Sequence, residues 1–345
     1  MKNGGNLKCA RFYAPGDLRI EDVPIPEIGA EEILIKVAGC GVCHSDLHII
    51  QGELPLPRTP IILGHEVGGY VEKVGKNVEG VTEGEKVLVY GGWGCGTCNV
   101  CIRGEEQLCN VLGWLGIGVD GGYAEYLKIP SRRYLVPIKK LDPATSSPLA
   151  DAGLTAYRAV RKACEGLPLS ETVVIIGIGG LGQFGVQFAK LRGYRVVAVD
   201  VSKRKLEIAK KLGADLALNP VEGELLNIIS EFTDGKGAGA VIDFVGTNET
   251  LRDATSFLGK CGRLVLVGIG GGQASIFWNP ALPPEVSYTT VYWGSLTELR
   301  EVIALAEEGK LSLIVERISF DGLLQAFERM KKGDLEGRAV LCPDL

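Results

Sequence analysis

The hydrophobic positions of this chain fall into two regimes. Over the first half they come in short runs with a period of two. In EEILIKVAGC, Ile33, Ile35 and Val37 alternate with polar or small residues, and GGYVEKVGKNVEGVTEGEKVLVY reads as short strands broken by glycine turns. From about Ser170 the period changes. ETVVIIG is a solid apolar run, the mark of a buried strand, and GLGQFGVQFAKLRG carries helical spacing. YRVVAVD is a strand again and SKRKLEIAKKLG a helix, while ADLAL, GAVIDFVG, RLVLVGI and YTTVYWG supply further strands. Such alternation predicts a parallel, doubly wound α/β sheet. Beyond Gly294, TELREVIALAEEG predicts a helix, IVERISF a strand, and a further helix leads to a strand in GRAVLCP. The expected organisation is a β-rich domain over residues 1–152 and 293–345, with a dinucleotide-binding type of domain, 153–292, inserted in it.

Composition narrows the function. The 345 residues, 46% of them hydrophobic, can fill two cores. A net charge of -5, with no basic patch interleaved with aromatics, argues against nucleic acid or an anionic membrane as partner. No apolar run is long enough to span a bilayer, and MKNGGNLKCARFY lacks the core of a secretion signal. The expected location is therefore the reducing cytoplasm, where ten cysteines point to metal rather than to disulfides. Four of them, Cys95, Cys98, Cys101 and Cys109, lie in CGTCNVCIRGEEQLC, within a lobe over 92–112. Two-residue gaps let thiolates converge, and four soft thiolates make a closed, structural zinc site, with an iron–sulfur cluster as the competing reading. Cys9, Cys40, Cys164, Cys261 and Cys342 read as small hydrophobes.

In VVIIGIGGLG, Gly177, Gly179 and Gly182 stand in the G-x-G-x-x-G spacing between a strand and a helix, with Gly180 and Leu181 completing the loop. The glycines allow a tight turn, a close approach of backbone to a pyrophosphate, and close packing of helix on strand. Asp200 ends the next strand, where a carboxylate accepts from the adenosine ribose and repels a 2′-phosphate, favouring NAD over NADP. Lys203, Arg204 and Lys205 follow it and loosen that preference.

All three histidines, His44, His48 and His65, fall in the first domain. PLADAGLTAYRAV carries a single carboxylate, Asp151, which on these residues alone reads as a helix N-cap. Motif order adds what no single motif gives. GCGVCHSDLH precedes LGHEVGGYVEKVG with its Gly69 and Gly75, then come the four-cysteine lobe and the glycine loop. In that order, and over essentially its whole length, the chain resembles the zinc-dependent medium-chain alcohol dehydrogenases.

The resemblance implies a GroES-like catalytic domain with an inserted Rossmann domain, NAD, and two zinc ions per chain. It implies Cys43 and His65 as ligands of a catalytic zinc. Asp151 falls where many members carry a third, cysteine ligand, so the carboxylate becomes a ligand rather than a cap alone, with Glu66 as its rival. The implied reaction is oxidation of primary or secondary alcohols to aldehydes or ketones, and the reverse, with hydride passing from a zinc-bound alkoxide to nicotinamide. Ser45 would accept the proton and His48 release it through the cofactor ribose, while Asp46 orients His65. His44, Lys205 and Arg338 would contact the cofactor, Arg338 being otherwise a solvated strand residue. Trp93, Trp114 and Leu115 would line a channel for aliphatic or aromatic alcohols, and Trp293 would pack near the nicotinamide; core or subunit interface is the competing reading of these aromatics. A homo-oligomer, tetramer before dimer, is implied. The alternatives are a polyol or amino-alcohol dehydrogenase of the same fold and a non-catalytic, zinc-stabilised member.

Overall fold

Strand Ile33–Gly41 is the axis of one of two units in this computed structural model, which describes residues 5–111, 113–274 and 283–345. That unit comprises Met1–Leu154 and Trp293–Leu345, and the other is Thr155–Tyr292. Around the axis runs a seven-stranded sheet in the order Leu135–Pro137, Lys86–Val89, Glu66–Val74, Ile33–Gly41, Arg338–Leu341, Val315–Ile318, with Tyr126–Ile129 also paired to the axis. The alternation of Ile33, Ile35 and Val37 is matched by complete burial of all three. Leu34, Cys40 and Gly41 are buried as well, so this strand is covered on both faces. A three-stranded sheet of Asp17–Pro24, Asn6–Ala14 and Ile61–Ile62 and a short ribbon of Gly92–Trp93 with Gly113–Trp114 complete the unit.

The second unit is a doubly wound parallel sheet, which makes the chain an α/β protein. Its six strands run Leu216–Leu218, Arg195–Val199, Thr172–Ile176, Ala238–Asp243, Leu258–Leu266, Ser287–Thr290. Chain order therefore reverses beside Thr172–Ile176, the place where open parallel sheets bind ligands at their carboxyl ends. Every residue of Thr172–Ile176 and Ala238–Asp243 is buried, as unbroken β-branched and apolar runs require. Helices Gly182–Leu191, Lys203–Lys211, Leu225–Phe232 and Asn248–Phe257 link successive strands. Leu225, Ile229, Leu251, Ala254 and Phe257 pack from them onto Val174, Val197 and Val241. Helix Ala152–Ala163 carries the chain from the first unit into the second.

One cysteine departs from expectation. Cys9, Cys40, Cys164 and Cys342 are buried, but Cys261 is exposed with φ 58°. It sits where Leu258–Leu266 bulges against Ala238–Asp243, and the bulge turns its side chain outward. No helix among the described residues is long and apolar enough to cross a membrane.

Candidate active site

Three segments of the first unit converge on one point. Cys43 is the N-cap of helix His44–Gln51, His65 immediately precedes strand Glu66–Val74, and Asp151 stands just before helix Ala152–Ala163. Their donor atoms, with one from Glu66, all lie within 4.8 Å of one another. The Cys43 thiol is 3.7 Å from Asp151 Oδ2, and His65 Nε2 is 3.5 Å from the same oxygen. A tetrahedral zinc would need edges of about 3.6 Å for sulfur to oxygen and about 3.4 Å for nitrogen to oxygen. The donor set fits one zinc ion held by Cys43, His65 and a carboxylate oxygen. His65 is 3% exposed. Burial opposes charge on its imidazole, but the carboxylates of Asp46 and Asp151 and the Cys43 sulfur outweigh it and raise its pKa well above the usual value. Such a cage favours a cation.

Asp46 holds two of these segments together. Its fully buried carboxylate accepts from the Cys43 amide at 3.2 Å, the Gly64 amide at 3.3 Å and the Tyr123 hydroxyl at 2.7 Å. Its Oδ1 also lies 3.5 Å from His65 Nδ1, on the side of the ring away from Asp151. No hydrogen bond joins the two, and the carboxylate acts on the ring through its charge, which favours hydrogen on Nδ1 and leaves Nε2 to a metal. Tyr123 carried no signal in the sequence beyond that of a core aromatic.

Glu66 and Arg338 are paired with each other beside this donor set. Both are buried; Arg338 donates Nε to Glu66 Oε2 at 3.0 Å and Nη2 to Oε1, a bidentate pair. Gly41 makes room for it, since a Cβ there would lie 1.8 Å from Glu66 Oε2. Burial still pushes the Glu66 carboxyl up to about 7 against the pull of Arg338. Arg338 is thus no solvated strand residue: it is 2% exposed, and its guanidinium also lies 3.7 Å from Asp151 Oδ2. Glu66, while bound to Arg338, keeps a carboxylate oxygen within 4.8 Å of the Cys43, His65 and Asp151 donors.

Ser45 Oγ is 3.7 Å from the Cys43 sulfur. His48, one turn along the helix, is partly exposed, with Nδ1 2.5 Å from Glu53 Oε2. His44 is exposed at the first position of that helix.

In the cysteine lobe, Cys95 and Cys101 sulfurs are 3.9 Å apart and those of Cys98 and Cys109 3.8 Å. All four sulfurs lie within 4.8 Å of one another; a tetrahedron of thiolates about one zinc has edges of about 3.8 Å, whereas an iron–sulfur cluster spreads its cysteines over two or more irons and sets those on different irons further apart. Backbone amides point at the sulfurs, from Cys98 to Cys95 and from Cys95 and Val111 to Cys109, each at 3.4 Å. The amide and hydroxyl of Thr97 bring the Cys95 thiol down to about 5.

In the second unit, Gly177 has φ 85°, and a Cβ on Gly182 would lie 1.8 Å from the Gly177 carbonyl oxygen. A Cβ on Gly179 would meet nothing within 4 Å, so the loop is open there, with Gly180 and Leu181 leading into helix Gly182–Leu191. Asp200 accepts from the amides of Ile178 at 2.7 Å and Ser202 at 2.8 Å. Its carboxylate thereby ties the glycine loop to the end of the neighbouring strand. Ser202 caps helix Lys203–Lys211 through the Lys205 amide.

The tryptophans separate. Trp93 donates to the Tyr90 carbonyl at 2.7 Å and stacks on Tyr134, and Trp114 pairs across the ribbon with Gly92. Leu115 is fully buried. Trp293, which the sequence placed only loosely, lies edge-on to His65.

Residues 29–140 match the alcohol dehydrogenase GroES-like domain family and residues 180–308 the zinc-binding dehydrogenase family. The chain is 40% identical to an NAD-dependent alcohol dehydrogenase of Sulfolobus acidocaldarius, over 97% of this chain and 99% of that one. It is 36% identical to a D-arabinose 1-dehydrogenase (NADP(+)) of Saccharolobus solfataricus, over 96% of each. Among solved structures, the alcohol dehydrogenase of Aeropyrum pernix superposes with a TM-score of 0.89 at 37% identity, covering 97% of this chain and all of that one.

Proposed function

The chain belongs to the zinc-dependent medium-chain alcohol dehydrogenases, and from that premise we propose the residue-level course of an NAD-dependent interconversion of alcohols with aldehydes or ketones. One observation carries it: Cys43, His65 and Asp151, from three separate segments, bring their donor atoms to zinc-ligand spacing. When bound, zinc supplies the Lewis acidity that makes an alcohol oxygen acidic near neutral pH, and NAD supplies the hydride acceptor. Cys43, His65 and Asp151 hold the ion, and Asp46 keeps the His65 ring turned toward it. Ser45, at the mouth of the thiol, takes the alcohol proton. His48, partly exposed and held by Glu53, delivers it to solvent. Gly177, Gly179, Gly180, Leu181 and Gly182 receive the pyrophosphate at the helix N-terminus, and Asp200 with Lys205 the adenosine ribose. The four cysteines from Cys95 to Cys109 staple their lobe with the second ion.

The experiment is zinc content and NAD-linked oxidation of simple alcohols in wild type and Asp151→Ala. About two ions per chain should fall to about one, with oxidation lost. One ion in wild type, or an active variant that keeps both, would sink the assignment.

A second reading, a sugar or polyol as substrate, draws on the D-arabinose relative. Trp93 and Trp114, read as channel walls, favour an apolar alcohol instead. Rates with an aliphatic, a benzylic and a polyol substrate at equal concentration separate the two. We place the protein in the reducing cytoplasm, in keeping with ten cysteines that form no disulfide, as a tetramer.

A further inference from the structure

The backbone around Asp151 does not hold its carboxylate in place unaided. Asp151 has φ -137° and ψ -62°, outside both helix and strand regions. A second irregular residue stands against it. Trp293 has φ 51°, in the left-handed region where a bulky side chain is an outlier, and such a conformation persists only where its surroundings fix it. Those surroundings are the metal centre. The indole N–H donates to the Ala150 carbonyl at 3.0 Å, on the peptide immediately before Asp151. The ring meets His65 edge-on, centroids 5.6 Å apart at 69°. Gly91 backs it closely, for a Cβ there would lie 2.5 Å from the indole. With only 5% of its surface exposed, Trp293 offers a substrate almost nothing.

We propose that Trp293 is a positioning residue for zinc: its N–H latches the Ala150–Asp151 peptide while its ring braces His65. Two ligands carried by separate segments are thereby kept at a common distance from the ion. An aspartate oxygen on an irregular backbone reaches the metal because this indole fixes the peptide that bears it. The inference rests on the zinc reading above, and its test separates the two.

Trp293→Phe keeps a ring against His65 and removes the N–H; Trp293→Leu removes both. Each holoenzyme, loaded with zinc, is mixed with an excess of a chromogenic chelator and release is followed in time. Wild type should release two ions in two phases, and Asp151→Ala identifies the catalytic phase by lacking it. Trp293→Phe should quicken that phase about tenfold, which corresponds to about 1.4 kcal/mol, and Trp293→Leu further still. The phase from the four cysteines should stay at its wild-type rate in both variants, while the loss of a buried indole lowers the thermal midpoint, more in Trp293→Leu than in Trp293→Phe. Wild-type rates in both variants, or both phases quickened together, would overturn the positioning role. A wild type holding one ion removes the zinc reading itself, and the inference with it, before any variant is compared.

Discussion

A buried carboxylate with four neighbours, Asp46 has more to lose than any ligand's exposed partner. Replacing it with Asn keeps the shape but removes the charge that fixes the His65 tautomer. Asp46→Asn should weaken zinc at Cys43, His65 and Asp151 about 10–100-fold, with the four-cysteine ion retained, as read by competition with a chelator of known affinity. Tyr123→Phe deletes one donor to the same carboxylate and should cost about 1–2 kcal/mol in denaturant unfolding, since the acceptor stays buried. At the glycine loop, Asp200→Gly should shift coenzyme choice toward NADP by at least about tenfold in kcat/KM, by removing the repulsion of a 2′-phosphate. A variant that still prefers NAD as strongly as wild type would contradict that role. The four cysteines and the glycines stand out in the chain by their local spacing, whereas Cys43 and His65 entered only through the resemblance. Asp151 was legible only through motif order, because an aspartate before a helix looks like any cap. The Arg338–Glu66 pair was not legible at all. Its partners are 272 positions apart, and no local rule links them. Trp293 hid for another reason, since only its backbone angle distinguishes it from a core aromatic.

Elements were easier to read than side chains. The change of period near Ser170 marks the doubly wound sheet because parallel strands covered on both faces must be unbroken apolar runs. The axis strand Ile33–Gly41 showed its alternation yet is covered on both faces, and the sequence could not reveal which neighbours supply the second cover. Helix Leu323–Lys331 is tied to strand Val315–Ile318 by Arg329, whose two nitrogens reach Glu316 at 2.5 and 2.8 Å. The guanidinium holds the Glu316 carboxyl below its ordinary value of 4.5. A depressed carboxylate contributes above its unfolded pKa and loses its contribution as pH falls through the folded one. Both side chains are more than a third exposed, so Arg329→Met should cost under about 1 kcal/mol at neutral pH. The gap between variant and wild type should close as pH falls through 4.5 and below, in urea midpoints measured from pH 7 to 3.

At the scale of the whole molecule, the second unit interrupts the first, and this sets an order of events during synthesis. Thr155–Tyr292 is one continuous stretch whose strands, among the described residues, pair with each other, so it can fold as soon as it is made. The first unit cannot finish then. Its axis Ile33–Gly41 waits for Arg338–Leu341, which pairs Val340 with Gly41 and Leu341 with Cys40 and packs Val340 on Ala144. Trp293 and the Glu66 partner Arg338 arrive on the same late segment. Until it emerges from the ribosome, Cys43, His65 and Asp151 exist as a half-built cup with an unpaired strand edge beside it, an invitation to chaperones and to stray pairing. Metal capture at that cup would thus be a closing act of biogenesis, after the second unit is complete.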